Sequence, residues 1–474
     1  QRPELRDVTL GSIERRQKMN ILEAQLNYDQ IRDLPFLLTD SLNPAFNGNT
    51  NWQDMFYQTG FIRSTDVSLS GGGQGGMTYR FSGNYYDEDG IIKATGFTRY
   101  STRLNLQARA LKEKLLINPI IFFSRSNRAR GNGSNSSPVN LGAGNMPSSL
   151  INLSDAKRDL FLGRYNANND ENVDNQLNVG LNLGYEFGKK LYFTSQSNYV
   201  GNNARRDLSI ASALENYNGN SASSFSSNVL NLRTNNYLSY IDTYGKHNLN
   251  VVVGQEASFN QTRISQMSAF QGVSDAIQVV TGFQQRNTYA SSDYQSNGFA
   301  SYYGRVSYDF DSKYIIGLTG RADGSSRFGK NNKWGFFPSA SAAWLISEEN
   351  FFKDKFKAFS LVKIRGSIGL TGNSNMPNYL QYSLYNVNAG YYYGNNGATS
   401  YNGVTAITPN FTDGVAQNDI SWERSLQWNF GTDMELNNGK YTLSFDVYNK
   451  ENTLQLFSVA LPVTTGYDRA LTNS

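Results

Sequence analysis

From about Ser64 onward the chain alternates apolar and polar residues with a period of two. Leu177, Val179, Leu181, Leu183, Tyr185 and Phe187 fall on one side, with Asn178, Gly180, Asn182, Gly184 and Glu186 on the other. Val362, Ile364, Ile368 and Leu370 oppose Lys363, Arg365, Ser367 and Gly369. Leu426, Trp428, Phe430, Met434 and Leu436 oppose Gln427, Asn429, Gly431, Asp433 and Glu435, and the same rhythm runs through 79–85 and 441–447. Successive strand side chains point to opposite faces, so each stretch predicts a β-strand with one greasy and one wet side. About fourteen such segments are legible. Some are joined by tight Gly- and Asn-bearing turns, such as 187–190 and 437–440. Such turns demand positive φ.

Other connections are long: 126–175, 202–225, 261–297 and 373–420. Short turns at one end and long loops at the other are the signature of an outer-membrane barrel, and are unusual in a compact soluble domain. The N-terminal part differs: 12–26 predicts a charged helix and 27–60 a loop, so 1–50 forms a lead-in and 51–474 the barrel wall. No apolar run is long enough for a membrane helix; Leu115 to Phe123 is broken by Asn118 and Pro119. Barrel strands need only about 9–11 residues.

Composition decides what the two faces meet. Of 474 residues 39% are hydrophobic and only 17% charged, with 30 Tyr, 28 Phe and 43 Gly. The polar face is mostly Asn, Gln, Ser, Thr and Gly, which suits a wide wet lumen; the other is rich in Tyr, Phe, Leu and Val, as lipid contact requires. A soluble, carbohydrate-binding β-protein is the competing class. The net charge of +4 gives no nucleic-acid footprint.

Catalytic chemistry is sparse. There is no Cys, which removes thiolate metal sites, and His247 is the single imidazole, in what reads as a turn. Gly71, Gly73 and Gly76 fit a dinucleotide spacing, but the next segment reads as a strand, not the required helix. Asp170, Asn172 and Asp174 match the opening of a calcium loop, but Asn175 and Leu181 stand where Gly and Glu are needed. A solvated acidic loop is the expectation there, as is a turn at 87–90. Glu348 and Glu349 are adjacent, a poor arrangement for paired acid–base work. No enzyme activity and no cofactor are expected, with a loop calcium as the lesser alternative. Tyr391, Tyr392 and Tyr393 are candidate ligand contacts through their flat faces and polar edges.

An ordered series of motifs resembles one family, the SusC/RagA type of TonB-dependent outer-membrane transporter. It opens with Asn51-Trp52-Gln53-Asp54 and Ser68-Leu69-Ser70-Gly71-Gly72, then Tyr79 to Tyr86, Gly90-Ile91-Ile92 and Phe97 to Ser101 with Arg103 and Asn105. Its most specific block joins Arg321, Asp323, Gly324, Ser326, Arg327 and Phe328 to Trp334, Phe337, Pro338 and Trp344. Gly372 with Asn373, Trp422 with Glu423, Leu461-Pro462 and Thr465-Gly466-Tyr467 complete it.

The resemblance implies a 22-stranded transmembrane antiparallel barrel closed by a plug, in the outer membrane of a Gram-negative, Bacteroidota-like cell. It also implies a SusD-like surface lipoprotein as lid, coupling through TonB to an inner-membrane motor, and oligosaccharide or peptide as cargo. A passive or structural barrel of the same fold is the alternative. No plug-like sequence or TonB box is read before residue 51, so an incomplete barrel, part of a larger chain, is expected.

Overall fold

The structure is a computed structural model. It describes residues 57–73, 76–93, 95–130, 169–211, 219–283, 288–388, 400–401, 404–410 and 415–473, together with Arg16. The helix expected over 12–26 (Arg16 apart), the loop up to residue 56 and the Tyr391–Tyr393 run lie outside the described residues.

Fourteen strands make one sheet. They are β1 (Ile62–Gly72), β2 (Thr78–Asp89), β3 (Thr95–Ala110), β4 (Leu115–Arg130), β5 (Asn169–Glu186), β6 (Leu191–Ile210) and β7 (Ser221–Tyr244). There follow β8 (His247–Phe270), β9 (Thr288–Phe310), β10 (Tyr314–Ser325), β11 (Trp334–Leu345) and β12 (Phe359–Asn373). The small strands β13 (Tyr385–Asn388), β14 (Ser400–Tyr401) and β15 (Val404–Pro409) form a separate sheet, after which β16 (Glu423–Leu436) and β17 (Tyr441–Thr453) rejoin the wall. A hairpin of β18 (Leu456–Ala460) and β19 (Arg469–Asn473) ends the chain. Neighbours in the wall pair antiparallel in chain order, from β1 on β2 to β16 on β17.

The register shows why the alternation exists. Leu69, Phe81, Leu104, Ile121, Val179, Tyr199, Leu232 and Phe259 are successive cross-strand partners, one apolar row across eight strands. A second row runs Val251, Val306, Leu318, Ala340, Ile368, Trp428. Most of these side chains are exposed, so the greasy faces do not meet in a dry centre. An exposed apolar surface of that extent belongs against lipid. The row is interrupted at mid-height on β6–β8, where Ser195, Ser197, Thr234, Asn236 and Gln255 share the outward face; Ser197 and Thr234 hydroxyls lie 3.2 Å apart.

The two ends of the wall differ. Tight turns join β3 to β4, β5 to β6, β7 to β8, β9 to β10 and β16 to β17. Backbone with φ of 52° to 81° at Asn437, Asn438 and Gly439 closes the last of them. Aromatic rings collect at this end: Tyr314 stacks on Phe310 at 6.3 Å and on Trp344 at 6.2 Å, and Phe187 meets Tyr185 edge-on at 4.8 Å. This is the interfacial girdle of a membrane barrel at its short-turn, periplasmic side.

Several expectations need correction. The strands run far into the spans read as loops: β4 reaches Arg130 and β5 starts at Asn169, β6 reaches Ile210 and β7 starts at Ser221, and β8 and β9 leave only 271–287 between them. The 373–420 span is not structureless either, since it contains β13 to β15. Past the bilayer the outward face no longer has to be greasy, so the alternation fades while backbone pairing continues. Asp170, Asn172 and Asp174 lie in strand β5, not in a solvated loop; Asp170 is buried against Arg206, with Nε to Oδ1 at 2.7 Å and Nη2 to Oδ2 at 3.1 Å. A strand points alternate side chains along one face and cannot wrap a cation as a calcium loop does. Asp87 to Asp89 end strand β2, with only Gly90 beyond it. His247 is the first residue of β8, one step past the turn, with Nδ1 2.7 Å from the Tyr308 hydroxyl.

At the periplasmic rim, the Lys246 ammonium donates to Asp311 at 2.8 Å, with Lys313 at 3.7 Å. That hydrogen bond, then the two positive charges, holds the Asp311 carboxyl below the usual carboxylate range against some desolvation. A depressed folded pKa contributes stability above the unfolded value, about 3.9, that is lost as pH falls through the folded one. Acid unfolding of the wild type is therefore expected to gain a step below about pH 4 that Asp311→Asn lacks. Overlaying acid titrations would reject this assignment.

Candidate functional site: the luminal wall and its rim

The polar face is the inner one. Side chains there reach one another over an intervening strand, as converging groups on a concave surface do. The Tyr303 hydroxyl on β9 donates to Asn235 Oδ1 on β7 at 2.7 Å, passing over Gly254 of β8. Arg321 on β10 reaches Glu256 on β8 at 3.1 Å and Ser301 on β9 at 2.8 Å, while its Nε holds Asp323 at 2.5 Å. Arg233 takes the other Glu256 oxygen. Arg365 on β12 bonds Asp433 on β16 and Asp446 on β17 at 2.8–3.3 Å. These networks tie neighbouring strands at fixed register.

The family-motif residues divide between wall and rim. Arg321 and Asp323 form the ion-pair node just described. Trp334 lies opposite Gly324, covers it, and stacks on Tyr302 at 6.0 Å. Pro338 pairs with Gly320 on the outward face, and Trp344 donates its indole N–H to Glu349 at 3.2 Å. Glu349 also accepts from Tyr314 at 2.7 Å, and these hydrogen bonds keep its carboxyl below the usual range. Glu348 turns instead to Lys353 at 2.6 Å, so the adjacent carboxylates diverge and make no acid–base pair.

The rest gather inside the long-connection rim. Phe328 is wholly buried, with Trp422 at 4.6 Å; Trp422 in turn meets Phe337 at 5.4 Å and donates its N–H to the Lys333 carbonyl at 3.2 Å. Met376, Leu380 and Ile420 complete this cluster, and Leu456 and Leu471 of the β18–β19 hairpin pack against it. A side-chain carbon at Gly372 would strike the Phe337 ring at 2.1 Å, and one at Gly329 would strike the Asn418 carbonyl at 1.8 Å, so only glycine allows these approaches. Arg327 fastens the 374–378 stretch, its Nε to Asn378 at 2.9 Å and Nη1 to the Ser374 carbonyl at 3.2 Å. Ser326 exchanges hydrogen bonds with the Gly298 backbone at 2.9 Å. Asn373 donates to Glu423 at 2.6 Å, and Glu423 caps the Leu456 N–H at 2.8 Å.

The motif thus builds a packed rim that folds residues 374–384 and 415–422 onto β10, β11 and β16. Sequence reasoning missed Met376, Leu380 and Ile420, which carry no periodic signal, and the pairing of Arg365 with Asp433 and Asp446, which alternation along single strands does not show. Among the described residues no group of His, Cys, Asp or Glu is arranged to hold a metal ion, and no helix is long and apolar enough to cross a membrane.

The family described as TonB dependent receptor-like, beta-barrel matches residues 116–473. TonB-dependent receptor P3 of Formosa agariphila is 28% identical over 459 residues, which are 90% of this chain and 43% of that protein. TonB-dependent receptor SusC of Bacteroides thetaiotaomicron is 27% identical over 478 residues, 90% of this chain and 44% of that protein. The solved structure of the RagAB peptide transporter superposes with a TM-score of 0.73 at 20% identity, over 99% of this chain and 55% of that one, a likeness of fold. The chain spans about half the length of the curated relatives it matches. With an apolar outer face, a wet inner one and three quarters of its length matched, the chain belongs to the TonB-dependent receptor β-barrel family and forms wall of a barrel in the bacterial outer membrane.

Proposed function

We propose that this chain is the barrel portion of an active importer of bulky nutrients, oligosaccharide or peptide. In this reading a SusD-like lipoprotein closes over the long-connection rim, and TonB, pulled by its inner-membrane motor, opens the path through the lumen. The observation that carries the reading is the inner wall. It is hydrated and amide-rich, with ion-pair networks across β7–β10 and across β12, β16 and β17, as a conduit for a large polar solute requires. The cargo passes unchanged, so no bond is made or broken and no cofactor is used. Tyr391, Tyr392 and Tyr393 are kept as proposed cargo contacts. The soluble carbohydrate-binding class is set aside, because the family is one of outer-membrane barrels.

Cells carrying the full receptor, offered labelled oligosaccharide or peptide pools, are expected to lose uptake when the proton-motive force is collapsed or TonB is deleted. Undiminished uptake under either condition would turn the reading to a passive pore.

A further inference from the structure

Strands β3 and β4 carry six arginines, Arg99, Arg103, Arg109, Arg125, Arg128 and Arg130, and no acidic residue. Register sorts them. Phe81, Leu104 and Ile121 face lipid, so Arg80 on β2, Arg99, Arg103 and Arg109 on β3, and Arg128 on β4 all face the lumen. Arg80 lies opposite Asn105 and Arg103 opposite Ser82, which makes the two arginines diagonal neighbours, about 7–8 Å apart. Arg109 stands at the periplasmic end of this series and Arg128, opposite Phe97, at the other. The five form a ladder from one mouth of the lumen to the other.

The ladder differs in its pairing from most luminal arginines of the rest of the wall, Arg305 excepted. Arg206, Arg233, Arg321 and Arg365 all hold carboxylates. The five rungs hold none among the described residues, and all five are exposed. Three are instead laid on rings: Arg99 on Tyr86 at 5.6 Å, Arg103 on Phe122 at 5.3 Å and Arg128 on Phe97 at 5.2 Å. A ring under a guanidinium fixes its plane and leaves its N–H edge free for the paired oxygens of a carboxylate or sulfate. A neutral solute gains little from such a row. A chain with an anion at intervals gains at every rung.

The lumen beside the ladder narrows the class further. Gln176, Asn178 and Asn182 on β5, Gln196 and Asn198 on β6, and Asn231 and Asn235 on β7 share the inner face. Amides matched to dense hydroxyls suit a sugar polymer.

We propose that the β2–β4 luminal face is a binding track for an acidic oligosaccharide, one carrying carboxylate or sulfate groups along its length. The inference rests on the import reading and adds the chemical class of the cargo. The test uses the full receptor with its partner in detergent and calorimetric binding of three probes of equal length: hexagalacturonate, maltohexaose and hexaglutamate. Hexagalacturonate is expected to bind at least about ten-fold more tightly than maltohexaose at low salt, a preference that shrinks as salt screens it. The triple variant Arg80→Gln, Arg99→Gln, Arg128→Gln is expected to bring the two within about two-fold, while the triple Arg→Lys variant keeps part of the preference and reports a folded wall. Arg305→Gln, elsewhere in the lumen, is expected to leave the preference intact.

Equal binding of the acidic and neutral sugars, or a preference that survives the Gln triple, would overturn the track. Tighter hexaglutamate binding would overturn the sugar in favour of acidic peptide. New protease sensitivity of the receptor's plug in the Gln triple would assign the rungs to the plug's own carboxylates and overturn it as well. A loss of motor dependence with the acidic preference intact would fail the import reading alone.

Discussion

Phe328→Ala is expected to loosen the rim while leaving the wall standing. The ring is wholly buried among Phe337, Met376, Leu380, Ile420 and Trp422, and removing it leaves a cavity that the backbone cannot close. Phe-to-Ala changes at such sites cost about 3–5 kcal/mol. The loss falls on residues 374–384 and 415–422 and on the β18–β19 hairpin, which this cluster pins to β10, β11 and β16. Hydrogen exchange is therefore expected to speed up at residues 376–381 and 417–422 by several orders of magnitude. The amides of β5 to β8 keep their protection, since that sheet owes nothing to the cluster. Unchanged exchange at 376–381 would mean that the connection is held by something other than this packing.

Leu181→Arg and Asn182→Arg are expected to behave oppositely although they are neighbours. Leu181 is outward on β5, between Pro119 and Ser197 and midway along the greasy run from Leu177 to Tyr185. A charge there faces the hydrocarbon and costs about 2–4 kcal/mol at the midplane. Asn182 points inward, between Asn118 and Gln196, where an arginine stays in water and the change lies within about 0.5 kcal/mol. Denaturant titration of the full receptor in lipid vesicles measures both. Comparable losses from the two variants would reverse the assignment of inner and outer faces.

Both predictions draw on an uneven legibility. The lipid-spanning part of most strands was readable because lipid favours a greasy residue at every second position, which Leu177 through Tyr185 obeys throughout, although Ser195, Ser197, Thr234, Asn236 and Gln255 depart from it on β6–β8. Where the strands rise above the bilayer the rule lapses. Hence 202–210 and 261–270 passed for loop although their backbones stay paired, and Asp170, Asn172 and Asp174 passed for a solvated acidic loop although they sit in a ladder. The motif around Arg321 was visible as a string of unusual residues, but its division of labour was not. Only the register puts Arg321 beside Glu256, sixty-five positions away. Only the folded rim brings Met376, Leu380 and Ile420 to Phe328. The arginines of β3 and β4 were present as letters, yet their common face emerges only when three strands are aligned.

The length of β7 and β8 carries one more consequence. Each has 24 residues, roughly 80 Å of extended chain. At a tilt of about 45° that is some 55 Å of height, against an apolar band of about 25 Å. With the tight turns held near the inner leaflet, the surplus stands outside the cell as a turret of paired backbone. Its upper edge, and the long connections it carries, therefore clear the lipid headgroups and stand in water.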